Sequence, residues 1–212
     1  LNVLNLENII LANKLKITMM KLKSWILGVG LLISNVAVSQ PVQDGFRFLD
    51  RHQPSRAKQV FEGLVASAPT GDNYFNLGLY FLNLRDWDNA KATFEKGKAA
   101  DPKYFLNQVG LASILVGQNN VSAAKTEFDK IIAETKSKNI DVLYRIAEAY
   151  SMYYILGKEE SFNANNNDPG ESIRLIDVIQ ERMLKDKKLP SPEHYIVKGD
   201  AYLIKNDGGN AV

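Results

Sequence analysis

Six positions of this chain recur at a fixed displacement. Gly45, Phe48, Ala57, Phe61, Leu64 and Pro69 are followed 33 residues later by Gly78, Phe81, Ala90, Phe94, Gly97 and Pro102. A further 34 residues on stand Ala112, Leu115, Ala124, Phe128 and Ile131. Gly199, Tyr202 and Ala211 begin the pattern again, and in all four units the two small residues are twelve apart. Self-similarity at such a period is the mark of an array of small supersecondary units. Each is too small to bury its own apolar face, and each buries it against its neighbours.

Within each unit the apolar residues follow a helical rhythm, broken once by a short polar turn such as Arg85-Asp86-Trp87-Asp88 or Gly117-Gln118-Asn119-Asn120. The unit therefore reads as two amphipathic helices in a hairpin. Packed helices lie ~8–10 Å apart, and the shorter separations need small side chains at the crossing. Gly78 and Ala90 are accordingly expected to face each other, with Phe81 and Phe94 filling the flanking space. Pro69 and Pro102 should stop the second helix. A further unit is disguised. "IDVLYRIAEAYSMYYI" supplies a first helix and "ESIRLIDVIQERML" a second, but Ala147 and Ser172 are 25 apart, so 13 residues are inserted. The insert includes "NANNNDPG", Asn163 to Gly170, a loop by composition. Asp168 beside four asparagines raises the question of calcium, but the run lacks the spaced acidic ligands and terminal Glu of a calcium loop.

These residues resemble the tetratricopeptide repeat, a helical hairpin of about 34 residues. Tyr74, Leu77, Gly78, Phe81, Ala90, Phe94 and Pro102 match its pattern residue by residue. Pro41 and Asp44 depart from it in the first unit, and Gln108 and Lys136 in the third. The resemblance implies an all-α solenoid of helical hairpins wound as a right-handed superhelix. Its units span about 41–70, 71–102, 103–136, 139–190 with the insertion, and 191–212, the last incomplete. It also implies a concave protein-binding groove at the fifth, ninth and twelfth positions of each unit. These are Phe75, Leu79 and Leu82; Val109, Ser113 and Val116; Tyr144, Glu148 and Ser151; and Ile196, Asp200 and Leu203. Such a groove would be an exposed strip, apolar at one end and acidic at the other. The Lys and Asn set with which some relatives grip a C-terminal carboxylate is absent.

The front of the chain reads differently. Lys21 and Lys23 precede a mostly apolar run of 14 residues, Trp25 to Val38, and Ala37-Val38-Ser39 offers small residues at a cleavage site. This is the layout of a secretory signal peptide, 19–39, since a membrane span needs ~20 apolar residues. Initiation at Met19 or Met20 would make 1–18 an upstream extension. Cleavage ending in Ser before Gln40 resembles exported proteins of Bacteroidetes-type bacteria. The expectation is a mature chain of repeats, 40–212, in the periplasm or associated with the outer membrane, with no stable membrane span after cleavage. The last unit stops as its second helix should start, which leads us to expect a longer protein.

The formal net charge of +2 is carried by that front segment. From Gln40 onward 22 Lys or Arg stand against 23 Asp or Glu, interspersed, which is no footprint for nucleic acid. Cysteine is absent, which excludes disulfides and thiolate chemistry. His52, beside the Gln53-Pro54 turn, and His194, opening a helix, read as surface or groove residues. Ser191 and Glu193 beside His194 read as helix-start residues. Tyr150 falls on a packing position near Tyr153 and Tyr154, and Lys185, Lys187 and Lys188 suit a helix end. No nucleotide-binding, zinc-protease or serine-hydrolase motif occurs. No catalytic residue, cofactor or metal site is expected. Two functions fit. One is a non-catalytic scaffold of the cell envelope that binds a protein or peptide in its groove. The alternative is an accessory module of a larger exported enzyme or envelope-anchoring protein.

Overall fold

A computed structural model describes residues 39–151 and 168–205, all of it helix and short turn. The helices are α1 (Ser39–Asp50), α2 (Pro54–Ser67), α3 (Gly71–Asn83), α4 (Trp87–Ala100), α5 (Leu106–Gly117), α6 (Val121–Glu134), α7 (Ile140–Ser151), α8 (Pro169–Lys185) and α9 (Pro192–Ile204). The residues before Ser39, where a signal peptide is expected, Tyr153, Tyr154, Asn163 to Asn167 and Ala211 lie outside the described residues.

Short polar side chains set where the helices begin. Thr70, Asp86, Asn120, Asn139 and Asp168 each accept from the backbone N–H three residues on, at 3.0–3.3 Å, which satisfies a donor the helix leaves unpaired. Pro54, Pro169 and Pro192 occupy first-turn positions, where no N–H is needed. Asp168 is thus a helix cap. Pro169 and Gly170, read as the end of a loop, already belong to α8, because an Asp-Pro pair is a start signal as much as a turn signal. The turn inside the first three hairpins repeats as faithfully as the helices do. His52, Arg85 and Asn119 are left-handed, at φ 55°, 58° and 63°. The next N–H reaches back five residues in each case: Gln53 to Phe48, Asp86 to Phe81 and Asn120 to Leu115, at 2.8–2.9 Å. This is a Schellman closure of the first helix.

Hairpins α1–α2, α3–α4, α5–α6 and α7–α8 stack in order, each second helix also packing on the next first helix, with α9 closing the row on α7 and α8. Contact between α6 and α7 is slight. There Lys136 and Ser137, both left-handed, stand in place of the proline, and Arg182 Nη1 donates to the Ser137 carbonyl. The first helices α3, α5, α7 and α9 touch in sequence and form one layer, and the second helices lie outside it.

The small residues do more than the sequence reading assigned them. Gly78 does not simply meet Ala90. A Cβ on Gly78 would lie 2.3 Å from the Phe94 ring, and one on Gly110, in the next hairpin, 2.4 Å from the same ring. Phe94 is clamped between two glycines of successive first helices and is fully buried. Gly45 and Phe61 repeat the arrangement one unit earlier, at 2.5 Å. In the unit with the insertion a polar contact takes over: Ser172 Oγ donates to the Ala147 carbonyl at 2.8 Å, both residues fully buried. That bond places the two residues at one helix crossing despite the inserted segment.

Candidate binding groove

The layer of first helices carries the twelve positions expected to line a groove, and it divides in two. At the α3–α5 end, Phe75, Leu79, Leu82, Val109, Ser113 and Val116 are all buried, none more than 6% exposed. The exposed apolar strip expected here is absent. The reason is side-chain length: α5 packs directly on α3, and Arg145 reaches back from α7 to lay its guanidinium 5.5 Å from the Phe75 ring centre. The space left among Phe75, Leu79, Val109, Ser113 and Arg145 is about 10 Å³, too little for more than one water.

The α7–α9 end is open. Tyr144 and Asp200 are half-buried, while Ile196 and Leu203 are 48% and 58% exposed. Glu148 and Ser151 are buried. Glu148 accepts from Arg145 Nη1 at 2.6 Å, and the neighbouring Glu148 charge holds the Arg145 guanidinium above its ordinary pKa despite burial. Between these parts lies a cleft of about 360 Å³, lined by Tyr104, Leu106, Asp141, Tyr144, Arg145 and, at the start of α9, Ser191, Glu193 and His194. Tyr104 donates its hydroxyl to Asp72 at 2.7 Å, across the α3–α5 junction. Burial, with help from the carboxylates Asp72 and Glu148, pushes the phenols of Tyr104 and Tyr144 far above their usual range, so both stay neutral donors.

Of the two readings of His194, surface or groove, the structure places it in the wall of this cleft. It is 6% exposed, its ring centre is 5.3 Å from that of Tyr144, and its Nδ1 has no hydrogen-bond partner. Burial lowers its pKa, partly offset by Glu193 and Glu148. Ser191 precedes α9 but does not cap it; its hydroxyl donates to Glu193 Oε2 at 2.6 Å. His52 is exposed in its turn. The sequence reading missed Tyr104, Leu106 and Asp141. The last residues of one unit and the second position of the next were not among the positions it carried over.

A larger cleft, about 640 Å³, lies on the outer layer between α4, α5 and α6, and is rimmed by lysines and glutamates of both signs. Among the described residues no group of three or more His, Asp or Glu could hold a metal, and no helix is long and apolar enough to cross a membrane.

The tetratricopeptide-repeat profile matches residues 72–102, the α3–α4 hairpin and its exit. Tetratricopeptide repeat protein 1 of Schizosaccharomyces pombe is 30% identical over 81 residues, 38% of this chain; the match spans only 8% of that protein's length. Among solved structures, nearly identical TPR-like repeats from Podosopora anserina share 15% identity, with 82% of this chain and 90% of theirs covered at a TM-score of 0.44. MamA from Desulfovibrio magneticus RS-1, from residue 41 on, shares 14%, with 81% and 87% covered at 0.40. The α3–α4 hairpin matches a tetratricopeptide repeat, and its small, aromatic and turn positions recur in the hairpins on either side, so the described residues form an all-α array of TPR-like hairpins.

Proposed function

We propose that this repeat array is a non-catalytic scaffold of the cell envelope, holding a protein or peptide partner against the inner layer where α5, α7 and α9 converge. The observation that supports binding there is the cleft over Tyr144. It is concave, it is drawn from three successive first helices, and it combines apolar walls with a few convergent polar groups, the usual make-up of a recognition site. The envelope location rests on the signal-peptide layout of residues 19–39 and on the resemblance to exported bacterial proteins. The buried α3–α5 end serves as the rigid base that holds the open end in shape.

The test is site-specific photocrosslinking in the cell that makes the protein. A photoreactive residue at Leu106, on the cleft wall, should give a discrete adduct in the envelope fraction, and the same residue at Thr126, on the outer layer, should not. Equal labelling from both sites, or none from Leu106, overturns the assignment of the binding face. Recovery of the adduct from the cytosol alone overturns the location.

A further inference from the structure

We propose that the turns after α6 and α8 form a surface that docks on an anionic lipid bilayer, lysines in the headgroup layer and leucines at its boundary with the acyl chains. Lys136 and Lys138 lie in the turn after α6, and Lys185, Lys187 and Lys188 at the end of α8, all of them exposed. None has an ion-pair partner among the described residues. Two exposed leucines frame the second group: Leu184 at 59% and Leu189 at 85%, the most exposed large apolar side chain among the described residues. Ser137 and Arg182 are 45 residues apart, yet Arg182 Nη1 donates to the Ser137 carbonyl and holds the end of α8 against the turn after α6. Both turns close in the same way. Lys136 and Lys187 are left-handed, at φ 53° and 57°, and the next N–H reaches back five residues, Ser137 to Ile132 at 2.8 Å and Lys188 to Met183 at 2.7 Å. The lysines are therefore carried on Schellman-closed backbone, not on loose chain.

Charge alone does not draw this chain to an anionic surface, since from Gln40 onward 22 basic residues stand against 23 acidic ones. The attraction is local. Residues 134–138 and 181–189 hold six basic side chains, Arg182 and the five lysines, against three acidic ones, Glu134, Glu181 and Asp186. Clusters of this size are the electrostatic footprint for anionic lipid. Helix dipoles favour lysines at both helix ends, but they give no reason for setting Leu184 and Leu189 in water beside them. Basic and leucine side chains on one exposed face have the make-up of an interfacial anchor. The charge draws the face to the headgroups, and the apolar area it buries there holds it. An acidic protein segment or a nucleic acid would answer the lysines by charge and leave the leucines unexplained. None of these lysines and leucines lines a cleft described above, and a bilayer needs none. The proposal goes beyond the scaffold reading and does not depend on it.

The test uses the protein purified in the form its cell accumulates. The chain has no cysteine, so Leu189→Cys takes a single polarity-sensitive fluorophore, and Thr126→Cys on the outer layer takes it as a control. Vesicles of equal parts phosphatidylglycerol and phosphatidylcholine should shift the emission of the label at position 189 to the blue and leave that at 126 in place. Phosphatidylcholine alone should shift neither, and high salt should release the protein. Each lysine near such a surface strengthens binding about fivefold, so Lys185→Gln, Lys187→Gln and Lys188→Gln together should weaken it about a hundredfold. Lys58→Gln, Lys91→Gln and Lys125→Gln remove the same charge from α2, α4 and α6 and should leave it unchanged. Leu184→Ser should weaken it about tenfold. All of these side chains are exposed, so the unfolding midpoints should hold. No shift at position 189, an equal shift at 126 or with phosphatidylcholine alone, or equal losses from the two triple variants overturns the proposal. Undiminished binding of Leu184→Ser also overturns it, because the attraction is then charge without lipid contact. Poly-glutamate shifting the label as far as the vesicles do makes the partner an acidic protein and overturns the lipid assignment.

Discussion

Phe75 and Ile196 occupy the same place in their repeats, the fifth position of a first helix, yet Phe75 is 2% exposed and Ile196 48%. Leu82 and Leu203, at the twelfth position, differ in the same way, 0% against 58%. The residue type does not decide the outcome, since all four are apolar. What decides it is the next layer. Phe75 is packed against Phe94, at 6.0 Å between ring centres, and against Tyr104 at 6.2 Å, and it lies under Arg145 from two hairpins on. Among the described residues nothing follows α9 to do the same for Ile196. In a linear array a position is core or surface according to its neighbours, because each unit contacts only those beside it. Among the described residues the inner layer is consequently a gradient, closed at α3–α5 and open at α7–α9.

The sharpest way to break this comparison is to make one change at both ends. Phe75→Ala should cost about 3–5 kcal/mol, the range for emptying a buried aromatic site. Ile196→Ala should stay within about 0.5 kcal/mol. Urea unfolding of the two variants checks it, and similar losses would mean that α9 is covered as thoroughly as α3. A smaller contrast lies within the closed end. Gly78→Ala puts a methyl group against a Phe94 ring that Gly110 prevents from retreating. Overpacking costs ~1–3 kcal/mol, more than the ~1 kcal/mol that helix propensity returns. Gly63 on α2 has nothing within 4 Å of its would-be Cβ, so Gly63→Ala should stabilise by up to ~1 kcal/mol. If both glycine variants gain, Phe94 is not clamped.

The hairpin fold was legible because its signals are local. Gly45 and Gly78 each mark a helix that a bulky residue must approach, and Pro69 and Pro102 mark the exits. Ser172 was legible for the same reason, although its partner Ala147 is 25 residues away. The register of single positions could be read; which of them stay wet could not. Burial of Val109 or Leu79 depends on Arg145 in another hairpin, and no spacing rule encodes that reach. The clamp on Phe94 by Gly110 escaped for a related reason: Gly110 is two residues before the small position of its own unit, Ala112, and so looked incidental. Tyr104, Leu106 and Asp141 sit where units join, and the cleft appears only when three hairpins are stacked. His194 could be read only as surface or groove, because a lone histidine at a helix start carries no sign of the Tyr144 ring beside it.

The smallest effect belongs to the open end and depends on pH. Burial against Tyr144 holds the folded His194 below its usual pKa of 6.5, and Glu193 and Glu148 only partly counter it. The unfolded chain, by contrast, takes up its proton at about 6.5. Between the two values the unfolded state binds more protons, so stability falls as pH drops, and the loss is complete once the folded pKa is passed. The carboxylates with shifted values, Glu171 and Glu193, lie below 4.5 and should be silent above pH 5.5. Unfolding midpoints at pH 7.5, 6.5 and 5.5 should therefore decline in the natural chain and flatten in His194→Phe, which keeps a ring beside Tyr144 without a proton to gain. If the two profiles run parallel, His194 is as solvated in the folded protein as in the unfolded one, and the wall of the cleft is looser than its geometry states. If only the natural chain declines, the open end is open to a ligand but not to water at His194.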